Sequence, residues 1–329
     1  MKEDGMRRIR YHAYGGPEVL TMEETEIPRP GPGQVRIRAE AIGANFVDVK
    51  FRQGPETGGI YRRDLPAVLT GDVVGMVDAV GAGVDPGLTG RRVAALAEDA
   101  FADQVLADAE WLAPVPEGID DATASMLPMG APVALGTLRA ARLSPGETVL
   151  IHAAAGGIGH LAVQLAKIAG AGTVIATAGS PAKLDFTRTL GADAAVDYSA
   201  EDWPDQVREA APEGIDVILD SVGGRILVRS LDLLAPFGRA VVYGAAGGGA
   251  TDIPLTSLFA MRSVAGFSLL AWRAAAPKQA REDMDQVTQH AVEGRLRARL
   301  HARLPLDKAA EAHRIMESRS QLGRVLLVP

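Results

Sequence analysis

Residues 148–170 read TVLIHAAAGGIGHLAVQLAKIAG, and three patterns follow one another in this stretch. Apolar and β-branched residues fill positions 148–151, small residues dominate 153–159, and leucine, valine and isoleucine then recur among helix formers. This order predicts a strand, a tight glycine turn and a helix. Residues without bulky side chains let backbone N–H groups approach phosphate oxygens where the helix begins. The stretch therefore predicts a nucleotide site.

Strand and helix patterns alternate after this stretch. Four further apolar segments have the length of strands, with helix patterns between them: 173–177, 194–197, 216–220 and 239–243. Five strands joined by helices predict an α/β fold with a doubly wound parallel sheet and right-handed crossovers. Residues 263–269 are a candidate for a sixth strand.

The beginning of the chain has a different character. Short extended segments separated by proline and glycine fill residues 6–47, which predicts a β-rich unit rather than a βαβ unit. A final apolar strand pattern at 324–328 lies far from the alternating block. We expect this strand to return to the β-rich first domain.

Composition and charge are those of an ordinary globular protein. The 329 residues are 47% hydrophobic, 23% charged and 5% aromatic, which is enough for two domains with their own cores. A net charge of −7 without a large basic block argues against nucleic acid or an anionic membrane as a partner. No apolar run reaches the roughly 18 residues of a membrane helix, and the N-terminus has no hydrophobic signal core. We expect a cytoplasmic enzyme with a small, neutral or apolar substrate.

Several kinds of site are excluded by residue content. The absence of cysteine removes disulfides, thiolate nucleophiles and cysteine-containing zinc sites. The 6 histidines show no metal-ligand spacing, and there is no G-x-S-x-G motif for a serine nucleophile. We predict no metal site, and we interpret His152 as a packed or hydrogen-bonded residue of the first cofactor strand.

The turn itself is a variant of the G-x-G-x-x-G fingerprint, since residues 154–159 read AAGGIG. Between a strand and a helix, in a run of βα units, this motif is typical of a dinucleotide site. The residues of the turn predicted to bind the cofactor are Ala154, Gly156, Gly157, Ile158 and Gly159. A structural turn without a ligand is the alternative.

The end of the second strand indicates which dinucleotide binds. An NAD site usually has an acidic residue about 20 positions after the fingerprint. Residues 176–183 read ATAGSPAK, and no carboxylate occurs before Asp185. The hydroxyl of Ser180 and the ammonium of Lys183 would attract a 2′-phosphate. NADPH is therefore predicted rather than NADH, although Lys183 is also compatible with a solvated position in the first helical turn.

Several blocks in matching order resemble the zinc-free quinone oxidoreductases of the medium-chain dehydrogenase/reductase superfamily, the group that includes zeta-crystallin. They are YGGPEVL at 14–20, GANFVD at 43–48, VDAVG at 77–81, HAAAGGIG at 152–159, DSVGG at 220–224 and the tail from 312 to 329. The resemblance implies a Rossmann-type domain, 125–265, inserted in a β-rich GroES-like catalytic domain, 1–124 and 266–329. It also implies an active site between the domains and a homodimer.

The resemblance further implies individual site residues. It places Asn45 near the nicotinamide ribose and ring, and Gly156, Gly157 and Ile158 at the pyrophosphate. The residues implied around the adenosine 2′-phosphate are Ser180, Lys183, Tyr198 and Arg319. Those implied on the nicotinamide side are Tyr243, Gly244, Phe267, Ser268 and Leu269. Tyr198 could instead simply end a strand, and Arg319 could be a solvated charge.

The chain departs from the zinc-dependent relatives at their ligand positions. Where they have a cysteine, a Gly-His-Glu segment and a four-cysteine lobe, this chain has Asp48 without a cysteine, TGD at 70–72 and no lobe. These residues argue against alcohol oxidation by zinc. Within the zinc-free group, Lys50 replaces a common tyrosine, and GAP at 130–132 replaces Gly-Leu-Thr.

We predict NADPH-dependent reduction of a conjugated carbonyl compound, either a quinone or an α,β-unsaturated ketone or aldehyde. No metal is needed, because a conjugated acceptor is already electrophilic and the protein supplies positioning and charge stabilisation. The candidate catalytic donors to the carbonyl oxygen are Asn45, Lys50 and Arg52. The alternatives are an enoyl-thioester or pathway-specific tailoring reductase and, in another class, a non-catalytic NADPH-binding protein.

Overall fold

The computed structural model describes residues 5–55, 61–247 and 251–329. The chain forms two compact units. Unit 1 contains Met1–Gly130, Met284–Val292 and Arg297–Pro329, and unit 2 contains Ala131–Asp283 and Glu293–Leu296. Both chain ends therefore belong to one unit, and most of the second unit is a single insertion in it.

Strands make up most of unit 1 and alternate with helices in unit 2. The strands are β1 (Gly5–Tyr11), β2 (Leu20–Glu26), β3 (Gln34–Gly43), β4 (Ala67–Val68), β5 (Gly71–Val80), β6 (Arg92–Ala97), β7 (Gln104–Asp108), β8 (Ala113–Pro114), β9 (Thr148–Ile151), β10 (Thr173–Ala178), β11 (Ala194–Asp197), β12 (Ile215–Asp220), β13 (Leu234–Val242), β14 (Ser263–Gly266), β15 (Leu300–Pro305) and β16 (Arg324–Val328). The α-helices are α1 (Phe46–Gln53), α2 (Asp121–Ala124), α3 (Gly130–Ala140), α4 (Gly159–Ile168), α5 (Pro181–Thr189), α6 (Trp203–Ala210), α7 (Gly224–Leu231), α8 (Leu269–Ala275), α9 (Pro277–Val292) and α10 (Ala309–Glu317). Short 3₁₀ helices lie at Pro17–Val19, Pro86–Leu88, Ala109–Trp111, Leu255–Leu258 and Leu306–Lys308.

Unit 1 contains two sheets within the described residues. One has the strand order β2-β1-β4, and the other has the order β15-β16-β3-β5-β6-β8, with β7 also paired to β3. β15 and β16 are parallel to each other, and the other pairs are antiparallel. β16 pairs with β3 at Leu326↔Gly43 and Leu327↔Ile42. The predicted return of the last strand to the first domain is confirmed.

The alternating sequence of β3 explains how the core of unit 1 is filled. Val35 and Ile37 are fully buried, whereas Arg36 and Arg38 project from the other face of the strand. The buried side chains belong to one hydrophobic cluster, which also includes Phe101. Period-two burial of this kind is expected of a sheet with one covered face.

Unit 2 contains a six-stranded parallel sheet with the order β11-β10-β9-β12-β13-β14. β9 is central, and Val149, Leu150 and Ile151 are fully buried, as expected for a strand with both faces covered. The sheet confirms the predicted doubly wound arrangement, including the sixth strand. Strand order reverses at β9, which has β10 on one side and β12 on the other. In such folds ligands bind beyond the carboxyl ends of the strands at this point, where the glycine turn lies.

Across the described ranges, no helix is both long enough and apolar enough to cross a membrane.

Candidate active site

The glycine turn between β9 and α4 is held closed by backbone packing. Ala153 has φ = 50°, in the left-handed region that residues other than glycine rarely adopt. A Cβ atom on Gly159 would lie 2.4 Å from the carbonyl oxygen of Ala153, so a side chain cannot be accommodated at this position. The turn therefore brings the first residue of α4 directly against the end of β9.

The residues of the turn that were predicted to bind the cofactor fall into two groups. Gly156, Gly157 and Ile158 are half-buried and accessible to a ligand, whereas Ala154 and Gly159 are buried and pack the turn. Ile158 precedes α4, and its side chain does not cap this helix. Within the described residues the N–H groups of Gly157, Ile158 and Gly159 have no hydrogen-bond partner, whereas those of His160 and Leu161 donate to Gly156 O and Ile158 O. The three unpaired groups are therefore left for a ligand, and phosphate oxygens fit them.

His152 has the structural role that the sequence predicted. Its ring is fully buried, with Nδ1 2.8 Å from Thr177 Oγ1 and Nε2 2.7 Å from Ser230 Oγ. The Ser230 hydroxyl donates to the carbonyl oxygen of Ile226, so Ser230 Oγ accepts from His152 Nε2–H and Nδ1 accepts from Thr177. Burial lowers the pKa of His152. The imidazole is therefore neutral and links β9 to β10 and α7.

Three residues predicted around the 2′-phosphate lie beyond the carboxyl ends of β10 and β11. Ser180 precedes α5 without capping it, Lys183 lies half-buried in its first turn, and Tyr198 follows β11. The Tyr198 ring reaches Gly179, where an added Cβ would lie 3.5 Å from Tyr198 Cε2. Unit 2 thus brings Tyr198 against Gly179, which precedes Ser180 in the sequence. Asp185 is exposed and pairs with Arg188 on the same helix at 2.7 Å.

The residues predicted on the nicotinamide side follow β13 and β14, beyond the carboxyl ends of these strands. Tyr243 N donates to Asp220 O, and Phe267 N donates to Val242 O, both at 2.9 Å. Burial raises the pKa of Tyr243 to about 12, so its hydroxyl stays protonated.

The segment after β14 is anchored to neighbouring helices. The ring of Phe267 fills the space beside Gly136 of α3, where an added Cβ would lie 2.2 Å from Phe267 Cζ. Ser268 caps α8 by accepting from Ala271 N at 3.4 Å, and Leu269 is buried. Gly244 packs on Ser221, with 3.1 Å between an added Cβ and Ser221 O. Packing thus fixes the backbone of these predicted residues.

Asn45 is the predicted site residue in unit 1 that has a buried amide group with an unpaired donor within the described residues. It precedes α1 and is 6% exposed. Its Oδ1 accepts from Arg324 Nη1 at 3.3 Å, while its Nδ2 is buried and has no hydrogen-bond partner within the described residues. An acceptor oxygen on a bound ligand would satisfy this donor.

Lys50 and Arg319 line the same cavity in unit 1, although the sequence assigned them to opposite ends of the site. The cavity has a volume of about 550 Å³ and is also bounded by Gly15, Phe46 and Glu317. Burial, followed by the charge of Arg319, lowers the pKa of Lys50. Arg319 itself has φ = 52° just after α10, a conformation that favours glycine. Two cations thus line this cavity together with the carboxylate of Glu317, which by itself acts to raise the pKa of Lys50 and is paired with Arg52.

Arg52 does not fit the donor role that the sequence suggested. Its side chain is fully buried, Nη1 donates to Gly15 O at 2.8 Å, and Nη2 forms an ion pair with Glu317. These contacts connect α1 with α10 and with Gly15, and they leave no exposed face for a substrate. We therefore correct the assignment and treat Arg52 as a structural residue.

The positions that hold zinc ligands in zinc-dependent relatives are occupied by internal polar contacts. Asp48 is fully buried and accepts from Thr70 N at 2.8 Å and Thr70 Oγ1 at 2.7 Å, and burial raises its pKa to about 7. Asp72 pairs with Arg324 at 2.6 Å. Across the described residues no group of three or more His, Cys, Asp or Glu side chains could hold a metal ion.

Comparison with known proteins agrees with this geometry. Residues 31–117 match the alcohol dehydrogenase GroES-like domain, and residues 157–289 match the zinc-binding dehydrogenase family. A 2-haloacrylate reductase from Burkholderia sp is 35% identical over 97% of both chains. The chain belongs to the quinone oxidoreductase group of the medium-chain dehydrogenase/reductase superfamily.

Two solved members of this superfamily contain the cofactor that the sequence predicted. A mycobacterial protein in complex with NADPH has a TM-score of 0.90 and 31% identity, covering 98% of this chain and 100% of that one. The quinone oxidoreductase of Escherichia coli in complex with NADPH has a TM-score of 0.87 and 30% identity over 98% and 100% of the two chains. The fold class and the family resemblance inferred from the sequence are confirmed.

Sequence reasoning missed the two residues that hold Asn45 and Arg52 in place, Arg324 and Glu317. One signal for Arg324 was present, because it is a single basic residue at the start of an otherwise apolar strand pattern. A buried charge of this kind requires a partner. The sequence alone does not identify that partner.

Proposed function

We propose that this protein is an NADPH-dependent oxidoreductase that delivers hydride to a conjugated carbonyl acceptor. The observation that carries the proposal is the uncapped N-terminus of α4 behind the half-buried residues Gly156–Ile158, at the point where the strand order of a parallel sheet reverses. The NADPH complexes of the two solved relatives support the choice of cofactor.

The residues of the turn would hold the pyrophosphate, because their N–H groups and the helix dipole favour negative charge. Ser180, Lys183 and Tyr198 would hold the 2′-phosphate, to which a hydroxyl and an ammonium donate hydrogen bonds. When bound, NADPH supplies the hydride. The protein orients the reactants and excludes water, and a donor such as Asn45 Nδ2 stabilises charge on an oxygen.

We also propose that the reaction needs no zinc. The chain has no cysteine, and the Asp72 carboxylate is neutralised by a guanidinium that would repel a metal ion. A conjugated acceptor makes a Lewis acid unnecessary for hydride transfer.

The test is NADPH consumption in parallel with phenanthrenequinone, a 2-enal and an enoyl-CoA, each before and after dialysis against EDTA. We expect turnover of the quinone or the enal, with equal rates before and after dialysis. Activity with enoyl-CoA alone would favour the enoyl-thioester reductase. Tight binding of NADPH without consumption would favour the non-catalytic alternative, and a rate restored only by Zn²⁺ would refute the metal-free mechanism.

A second candidate is reduction of a conjugated acid of the acrylate type. The specific observation in its favour is the cavity lined by both Lys50 and Arg319, since a ligand carboxylate would be attracted to two cations there. The similarity to a 2-haloacrylate reductase supports this candidate.

We further propose a homodimer formed through the edge of the parallel sheet. β14 is one of the two edge strands of the described sheet, and the exposed apolar side chains of Leu255, Phe259 and Met261 precede it. Location in the cytoplasm stays a prediction from the sequence.

A further inference from the structure

Arg324, at the start of β16, is a charged residue in the interior of unit 1. The residue is 3% exposed. Nη2 lies 2.6 Å from Oδ2 of the fully buried Asp72, and Nε lies 3.3 Å from Ser125 Oγ. The ion pair with Asp72 allows a charge to be buried in this position.

The other terminal nitrogen of Arg324 contacts Asn45. Nη1 donates to Asn45 Oδ1 at 3.3 Å. A guanidinium carries donors only, so it can bind the amide of Asn45 through its oxygen and not through its NH₂ group. Arg324 therefore determines which way the amide is turned, and Nδ2 remains as a buried donor with no partner within the described residues.

We propose that Arg324 is a positioning residue, which keeps Asn45 Nδ2–H directed at a ligand oxygen and is itself held by Asp72. A buried donor without a partner is unfavourable, and a ligand acceptor removes that penalty. The inference rests on the proposed function in one respect, namely that the oxygen belongs either to the nicotinamide side of NADPH or to the carbonyl acceptor.

Gly43 provides the space that the guanidinium of Arg324 occupies. A Cβ atom at position 43 would lie 1.9 Å from Arg324 Nη2. Because the guanidinium is pinned between Asp72 and Ser125, it cannot move aside without breaking a contact. Gly43→Ala therefore perturbs the position of Arg324 and leaves its charge in place.

The test is a double-mutant cycle on Asn45 and Arg324, with the Kd for NADPH and the KM for the acceptor as separate readouts. Arg324→Lys keeps a positive charge beside Asp72, but a compact ammonium does not provide the fork that spans Asp72 and Asn45. We expect both Arg324→Lys and Asn45→Ala to raise one of these two constants about tenfold, and it should be the same constant for both variants. The double variant should show no further loss. A change in Kd assigns the oxygen to NADPH, and a change in KM alone assigns it to the acceptor.

A purely structural role of Arg324 predicts different results. In that case Arg324→Lys lowers the melting temperature with both constants unchanged, or its effect multiplies with that of Asn45→Ala, and either result overturns the inference. Asn45→Asp guards against a variant that fails to fold. It keeps an oxygen toward Arg324 but replaces the donor by a carboxylate oxygen, which repels a ligand oxygen, so it should raise the same constant at least as much as Asn45→Ala. Gly43→Ala should shift the same constant as Arg324→Lys.

Failure of the proposed function gives a distinct outcome. If the wild-type protein consumes NADPH with none of the acceptors, the proposed function fails. The positioning role of Arg324 is then tested only by the double-mutant cycle on the Kd for NADPH. An unchanged Kd in Asn45→Ala and Arg324→Lys overturns it.

Discussion

At the scale of single residues, Lys50 lies in the same cavity as a second cation, which the sequence did not reveal. Lys50 lines a cavity with Arg319, and the pKa of Lys50 is lowered by burial and by that second cation. We predict that Lys50→Met raises the KM for 2-haloacrylate about tenfold, because a charge-assisted hydrogen bond is lost, and changes the KM for a neutral quinone little. Steady-state kinetics with the two acceptors measure the difference.

Lys278→Met is the matched control, since Lys278 is 93% exposed and distant in sequence from the cavity residues. It should leave both KM values unchanged. Equal effects of Lys50→Met on the anionic and the neutral acceptor would exclude the anion-binding role.

Another single residue, His313, is expected to control stability in acid. It is fully buried against Phe101, and neither ring nitrogen has a hydrogen-bond partner within the described residues. Burial, with a smaller contribution from Arg52, lowers the pKa of His313 to about 3, whereas the unfolded chain titrates near 6.5. The unfolded state thus binds the proton first, and the free energy of unfolding falls as the pH drops from 6.5 toward 3.

Below pH 6, His313 is expected to lower the free energy of unfolding by about 1.4 kcal/mol for each pH unit of acidification. His313→Leu should remove that part of the slope, although His152 contributes in the same direction. Urea unfolding at several pH values between 7 and 4 measures it. The exposed His301 supplies a control, His301→Leu, that should retain the wild-type slope. An identical slope in His313→Leu and the wild type would contradict the assignment.

At the scale of elements, the connection between β9 and α4 depends on glycine at one position more than at another. A Cβ on Gly159 would meet Ala153 O at 2.4 Å and Ala154 Cα at 2.7 Å, whereas a Cβ on Gly156 would meet only Ala153 O at 3.2 Å. We predict that Gly159→Ala lowers stability by about 1–3 kcal/mol and weakens NADPH binding, because the backbone of the turn must shift. Gly156→Ala should have a smaller effect on stability. Thermal unfolding and NADPH titration of both variants test the ranking, which equal losses of stability would contradict.

The same element shows what the sequence could predict and what it could not. Strand, turn and helix follow from local spacing, and the doubly wound sheet follows from their repetition, because each pattern lies within a few residues. The contact between Arg324 and Asn45 joins residues 279 positions apart, and the pair of Arg52 with Glu317 joins residues 265 positions apart. Such contacts depend on tertiary packing. Local patterns therefore predicted the strand, the turn and the helix well, but they misjudged Arg52 and missed Arg324.

At the scale of the whole molecule, we expect two copies of the chain to associate through β14, an edge strand of the parallel sheet. β14 has a neighbouring strand only on the side of β13 within the described sheet, and Ser263, Ala265 and Gly266 are exposed. Unpaired backbone groups on an edge strand favour pairing with a second strand. Phe259 is 81% exposed and Met261 is 60% exposed just before this strand. A second copy that paired through β14 would bury these side chains.

We predict that the wild-type protein sediments as a dimer and that the double variant Phe259→Glu/Met261→Glu sediments as a monomer at micromolar concentration. Introduced carboxylates would have to be desolvated in the interface, which opposes association. Leu300→Glu is the matched control, because Leu300 is also an exposed apolar residue but lies in β15 of unit 1. It should leave the sedimentation coefficient unchanged. A dimer that survives the double variant and dissociates in Leu300→Glu would place the interface on unit 1 and refute assembly through β14.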